Sequence, residues 1–352
     1  MIREIAIITY QNGKNYGGFL QVYALQKILE RETDFKVKII NYKNKKFILK
    51  EIRQCISKNL KKTILNLLSL CSYFVYRKKL NLEKFTINKK KAITKKYEFI
   101  VYGSDEIWNF NNKAVGFDDF YFGKYCKLKK YSFSASFGTV NKSQKELKKI
   151  SRYLKKFKKI SVRDLNSSKI LTQLNIAHRL TLDPVLLYNF DEELKNVKNT
   201  YQKNRYILIY GAVYDKKIIE NIKLLKIEKK LEIISLGYYN NWADKNIIYS
   251  LNPFLFLKIF EEAGIIVTSM FHGTVLSLKF NKNFFLLKDN YRVNKLGDLK
   301  RKFHFQSIDI NENKDLYIDF KKKINKPYSK EKKKFLTNNI NKSINFIGKN
   351  FK

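Results

Sequence analysis

Short apolar, β-branched runs recur along this chain with helix-length amphipathic stretches between them, and that alternation limits the folds open to it. Strand-like runs fall at 3–10, 36–41, 97–102, 130–134, 160–163 and 179–183, with helical patterns at 19–30, 52–82, 143–156 and after Asp164. Strand, helix and strand in sequence build βαβ units, whose strands pair in parallel beneath packed helices. After Pro184 the rhythm stops over 188–204, a polar stretch rich in Asn and Lys that reads as a linker. It then resumes, with strands at 206–210, 232–236, 265–268 and 284–287 and helices at 216–229, 253–263 and 295–303. The expected fold class is α/β: two Rossmann-like domains, 1–187 and 205–320, whose parallel sheets face across a cleft. Residues 321–352 are expected to form a basic C-terminal helix or tail.

A length of 352 residues, 44% of them hydrophobic, suffices to bury a core in each domain. No charged-then-apolar targeting segment is visible at the N-terminus, where Ile5 to Ile8 belong to the first strand, so a cytoplasmic location is expected. Subtracting 31 Asp and Glu from 72 Lys and Arg leaves a formal charge of +41. The cations are mostly Lys and run the whole length of the chain, which argues against specific nucleic-acid recognition. Attraction to anionic substrates or to an anionic membrane surface remains. Cys55, Cys71 and Cys126 are odd in number and form no C-x-x-C pair, so no metal site is expected and the thiols read as reduced.

Residues 63–75 are largely apolar but too short for a bilayer, which takes about 20 residues to span. Lys61 and Lys62 precede them, and Arg77, Lys78 and Lys79 follow. An interfacial helix at 61–79 and a helix packed on a sheet both fit, the second because Asn66, Ser69 and Ser72 form a polar stripe.

Chemistry in such folds collects at the carboxyl ends of strands, and five such ends stand out. The run Ile265 to Thr268 leads through Ser269 and Met270 into Phe271-His272-Gly273-Thr274 and a helix, bringing one of only three histidines to a helix N-terminus. Backbone N–H groups there attract anions, phosphate above all, and His272 exchanges a proton near neutral pH. A core histidine satisfied by hydrogen bonds fits the same pattern. The turn Asn15-Tyr16-Gly17-Gly18 follows the first strand; it matches neither a dinucleotide fingerprint nor a P-loop, yet lets a ligand approach the backbone. Gly103-Ser104-Asp105 ends another strand, with Trp108 nearby for stacking on a sugar ring, although Ser and Asp also serve as caps. Ser132 to Gly138, with Ser134 central, adds small hydroxyl residues. Arg163, one of few arginines, suits a phosphate or carboxylate clamp or a plain surface ion pair.

Taken in order, six blocks resemble the polysaccharide pyruvyl transferase family over about Ile5 to Phe303. They are Asn15 to Gly18 with Leu20 to Gln26, Gly103 to Asn109, Tyr131 to Gly138, Ser161 to Asp164, Leu182 to Leu187, and Thr268 to Thr274. The resemblance implies a GT-B-like fold, phosphoenolpyruvate as donor, no cofactor, and a pyruvate ketal placed on a sugar of a surface glycan or its lipid-linked precursor. It implies His272 as general acid or phosphate ligand, Arg163 as anion clamp and Asp105 as the base facing the acceptor. Asn15, Tyr16, Gly17, Gly18, Ser104, Trp108, Ser134, Ser269, Gly273 and Thr274 would line the substrate, with Arg292 and Lys295 adding positive charge and Asp183 ordering the domain junction. Many members carry a basic residue immediately before the histidine, where this chain has Phe271. That departure keeps two alternatives open: a GT-B-like glycosyltransferase using a nucleotide sugar, and a non-catalytic glycan-binding protein. Peripheral association with the inner face of the plasma membrane is the expected setting.

Overall fold

Phe99-Ile100-Val101-Tyr102 is apolar at every position, and every side chain is buried, because a parallel strand is covered on both faces. The computed structural model describes residues 3–11, 15–56, 60–93, 96–141, 145–213, 215–248, 252–288, 293–308, 317–327 and 329–351. The chain divides into two units, 1–188 with 335–352, and 189–334. In the first, β1 (Glu4–Ile8), β2 (Lys36–Ile39), β3 (Phe99–Tyr102) and β4 (Lys129–Ser132) pair in parallel in the order β2-β1-β3-β4. Bridges from Tyr131 to Lys159 and from Ala135 to Val162 carry the sheet onto β5 (Ser161–Val162) and β6 (Arg179–Leu180), themselves a parallel pair.

The helices of this unit are α1 (Tyr16–Glu32), α2 (Lys45–Cys55), α3 (Leu60–Arg77), α4 (Glu146–Leu154), α5 (Leu165–Gln173) and α6 (Pro184–Leu187). Side-chain oxygens of Asn15, Asn44, Asp164 and Asp183 cap α1, α2, α5 and α6. The helical region expected over 52–82 holds the end of α2 and the whole of α3. Ile56 ends α2 in an extended conformation, and its apolar side chain hides the break from any periodicity argument.

The second unit begins with α7 (Asp191–Leu194), so the expected linker at 188–204 is corrected: Phe190 and Leu194 are buried, and Asn199 donates to Glu262 at 2.8 Å. Five parallel strands follow, β7 (Tyr206–Tyr210), β8 (Glu232–Leu236), β9 (Lys245–Ile247), β10 (Ile265–Thr268) and β11 (Asn283–Leu286), in the order β11-β10-β7-β8-β9. Alternate side chains of β7 take opposite faces. Ile207 and Ile209 join Ile218, Ile222 and Leu225 of α8 (Lys216–Lys229), whereas Tyr210 packs edge-on against Phe256 and Phe260 of α9 (Pro253–Glu262). The remaining helices are α10 (Phe271–Lys279), α11 (Val293–Phe303), α12 (Tyr317–Lys322) and α13 (Lys330–Asn350).

Of the helix and the tail expected over 321–352, the structure shows a helix, α13, preceded by the end of α12. α12 belongs to the second unit through buried Phe320, whereas the end of α13 packs into the first. Ser343 accepts from Leu182 N at 3.0 Å, Ile347 is fully buried, and the Phe351 ring lies 4.9 Å from that of Tyr131.

Lys279, half-buried at the end of α10 with its nitrogen 5.3 Å from the centre of the Phe190 ring, has its pKa lowered from 10.5 to about 8. Burial is the main cause, and the negative charge of Asp191 opposes it. The folded amine holds its proton less tightly than the unfolded one, so stability rises between pH 8 and 10.5 and is lost as pH falls through about 8. Lys279→Met is expected to exceed the native chain in stability at pH 7 and to lose this pH dependence, as urea unfolding at pH 7 and pH 10 measures.

Candidate active site

Strand order locates the ligand-binding edge of each sheet. In the second unit the chain runs from β7 outward through β8 and β9, then returns to place β10 on the other side of β7. Loops leaving β7 and β10 therefore diverge at their carboxyl ends, the place where open sheets of this kind bind ligands. Gly211 leaves β7 there, and Ser269, Met270 and His272 leave β10. Gly211 has φ +136°, and a Cβ on it would stand 2.9 Å from Ser269 Oγ, so the loop needs glycine to pass the serine.

Thr268 builds the turn. Its Oγ1 donates to Tyr210 O at 2.7 Å and accepts from Met270 N at 3.0 Å. Gly273 lets α10 settle on this threonine, since a Cβ there would lie 2.1 Å from Thr268 Oγ1. Met270 occupies the cap position of α10 and supplies no side-chain hydrogen bond, in contrast to Asp215 of α8 and Asn252 of α9. His272 is thus held in the first turn of α10, 8% exposed, its ring edge-to-face with Phe271 at 5.2 Å. Thr274 is fully buried and its hydroxyl donates to Met270 O at 3.3 Å, and Ser269 and Met270 are partly exposed beside it.

In the first unit the order reverses between β1 and β3, and the loops that diverge there are Thr9 to Gln11 and Gly103 to Asp105. Asn15 starts α1 there and accepts from Gly18 N at 3.0 Å, with Tyr16, Gly17 and Gly18 buried behind it. Thr9 Oγ1 donates to Ser104 O at 2.7 Å, and the Ser104 hydroxyl donates to Gln21. Asp105 is half-buried with φ +85°, a conformation uncommon outside glycine. Arg163 joins it to a second carboxylate: Nη2 donates to Asp105 at 3.0 Å and Nη1 to Asp183 at 2.9 Å. Burial works against the Arg163 charge, but Asp105, Asp183 and the neighbouring Asp164 outweigh it and hold the pKa above its ordinary value.

Several expected roles change on this geometry. Arg163 spends both terminal nitrogens on the protein's own carboxylates, so it positions Asp105 rather than standing ready for a substrate anion. Asp183 belongs to that cluster and caps α6 through Val185 N. Trp108 is fully buried, donating from Nε1 to Tyr121 O at 2.9 Å, which leaves no face for a sugar. Ser134, also fully buried, bonds Thr181 Oγ1 and Leu182 O and serves the core. Arg292 lies outside the described residues, as does the side chain of Lys295 on α11. Sequence reasoning passed over Tyr238, whose hydroxyl reaches Met270 Sδ at 3.7 Å, and Asn240, which ties Gly211 O to Ser235 Oγ. Gly211 and Gly237, each directly after a buried strand, were the available signal.

A family model described as polysaccharide pyruvyl transferase matches residues 15–291. No curated protein matches the chain significantly. Among solved structures, the chain is similar to UDP-GlcNAc 2-epimerase from Neisseria meningitidis bound to UDP-GlcNAc, with 13% identity, a TM-score of 0.56, and coverage of 100% of this chain and 99% of that one. It is also similar to UDP-GlcNAc 2-epimerase from Methanocaldococcus jannaschii, with 12% identity, a TM-score of 0.52 and 92% of each chain covered. At such identities the likeness establishes the fold, which is GT-B-like.

Two substitutions test the construction. Gly273→Ala is expected to push α10 off Thr268 and cost about 1–3 kcal/mol, read as a lower unfolding midpoint. Arg163→Ala leaves two carboxylates without their shared cation and is expected to cost about 3–5 kcal/mol, more than Asp105→Asn in the same assay.

Proposed function

The chain belongs to the polysaccharide pyruvyl transferase family and is a transferase; from that premise we propose that it moves the enolpyruvyl unit of phosphoenolpyruvate onto a sugar of a cell-surface polysaccharide or its lipid-linked precursor. The product is a pyruvate ketal. One proton goes to the methylene carbon of the donor, which becomes the methyl group, and the adjacent carbon takes up positive character. Two sugar hydroxyls form C–O bonds to that carbon, the C–O bond to phosphate breaks, and the second hydroxyl proton leaves with inorganic phosphate.

The observation that carries the reading is the seat of His272 in the first turn of α10, at the carboxyl ends of β7 and β10. An acid is needed at the methylene carbon and a positive environment at the phosphate. His272 supplies the first. The uncapped start of α10 supplies the second through its amides and the helix dipole, which offsets the cation missing at Phe271. The donor is assigned to the second unit and the acceptor to the first, where Asp105, oriented by Arg163, takes a proton from a sugar hydroxyl and the exposed Asn15 stands at the start of α1 beside the sugar. A buried imidazole beside Phe271 is screened from bulk water, which favours directed proton transfer over hydrolysis of the donor.

Phosphoenolpyruvate is expected to raise the melting temperature while nucleotide sugars leave it unchanged; the reverse pattern would assign the chain to nucleotide-sugar chemistry. His272→Ala is expected to lower the rate of pyruvyl transfer by roughly 10²–10⁴-fold with an unchanged circular dichroism spectrum. Undiminished transfer in that variant would remove His272 from the mechanism.

A further inference from the structure

Helix α3 is amphipathic with the wrong face outward. Leu60, Ile64, Leu67, Leu68, Phe74 and Val75 form one helical stripe and are 41–75% exposed, whereas Tyr73 and Arg77 turn inward and are buried. Helix α2 extends the stripe through Leu49 and Ile52, with Ile56 just beyond it, each more than half exposed. Asn66 donates to Cys55 O at 3.3 Å and ties the two helices together. An apolar surface of this extent on a folded chain marks an interaction site.

Charge identifies the occupant. From Ile52 to Leu82 the chain carries seven Lys or Arg and no Asp or Glu. A groove of about 580 Å³ at the end of α3 is lined by Phe74, Lys78 and Lys79, an apolar ring beside two exposed cations, with the buried Arg77 behind them. A second copy seated on this face would oppose like charges on a chain whose formal charge is +41. Among the described residues no helix is long and apolar enough to cross a membrane, so an apolar stripe bordered by cations suits a helix lying in the plane of a lipid surface. We propose that the α2–α3 face docks on an anionic bilayer, its apolar side chains entering the acyl boundary and its lysines and arginines meeting lipid phosphates.

The docked face has a consequence for the acceptor, which rests on the pyruvyl transfer reading above. The Tyr73 ring packs edge-on against Tyr16, 6.2 Å between centres, so the inner side of α3 abuts the start of α1. Docking thereby brings the Asn15 turn to the lipid surface and selects a lipid-linked sugar.

Cosedimentation with vesicles of phosphatidylglycerol or of phosphatidylcholine tests the docking directly. Binding to phosphatidylglycerol is expected to exceed binding to phosphatidylcholine by roughly tenfold or more and to weaken with salt. Leu67→Glu with Val75→Glu, both exposed and outside the candidate active site, is expected to abolish it while circular dichroism stays unchanged. Cys71 is the exposed cysteine, Cys55 and Cys126 being buried, so a polarity-sensitive dye attached there is expected to shift to the blue on phosphatidylglycerol vesicles. Equal binding by the native chain and the double variant, no binding by the native chain, or a dimer that the double variant dissolves would each overturn the proposal. Vesicle binding needs neither donor nor turnover, so its failure is distinguishable from a failure of pyruvyl transfer.

Discussion

A single hydroxyl organises the turn that carries His272. Thr268 Oγ1 reaches across from β10 to Tyr210 O on β7, receives Met270 N from the turn, and fills the space that a side chain at residue 273 would need. Thr268 O meanwhile accepts from Leu287 N, so the same residue joins the strand end on its other side. Strand pairing, turn shape and helix position are thus coupled through one residue, and His272 inherits its place from all three. Valine would match the threonine in volume and keep neither of the hydroxyl's bonds.

The first unit reaches comparable order by charge. Arg163, nearly inaccessible, sits between Asp105 and Asp183, and the cluster spans strand ends far apart in sequence. A buried charge is costly unless it is paired, so Arg163 and Asp183 hold each other in place and Arg163 fixes the half-buried carboxylate of Asp105 at the carboxyl end of β3. The start of α1 stands at the same edge, on the opposite flank of the strand reversal. Each unit therefore places one candidate side chain, His272 or Asp105, at the reversal point of its own sheet.

Much of this was legible in the sequence because parallel strands covered on both faces read as unbroken apolar runs. The bounds of β7, β8, β10 and α8 follow directly from such runs and from the helical spacing after Asp215. The edge strand Lys245–Ile247 escaped, since three residues with one apolar side chain carry no period. Long-range partners escaped for a different reason: Leu182 meets Ser343 and Arg163 meets Asp105 through folding alone, with nothing local to announce either. Trp108 shows the limit from the other direction, because an aromatic residue after a strand looks alike whether it lines a sugar site or fills a core. The exposed stripe of α3 was readable as an amphipathic helix, but which face turns outward is decided by packing.

The proposed function turns on one chemical event, the capture of a proton by the methylene carbon of phosphoenolpyruvate as two sugar hydroxyls displace phosphate. Carrying out the transfer in deuterated water and analysing the methyl group of the glycan ketal by mass spectrometry observes that event itself. The account predicts one deuterium per new methyl group and one phosphate released per ketal formed. A ketal without deuterium, or an acceptor left without pyruvate while phosphoenolpyruvate remains intact, would contradict it.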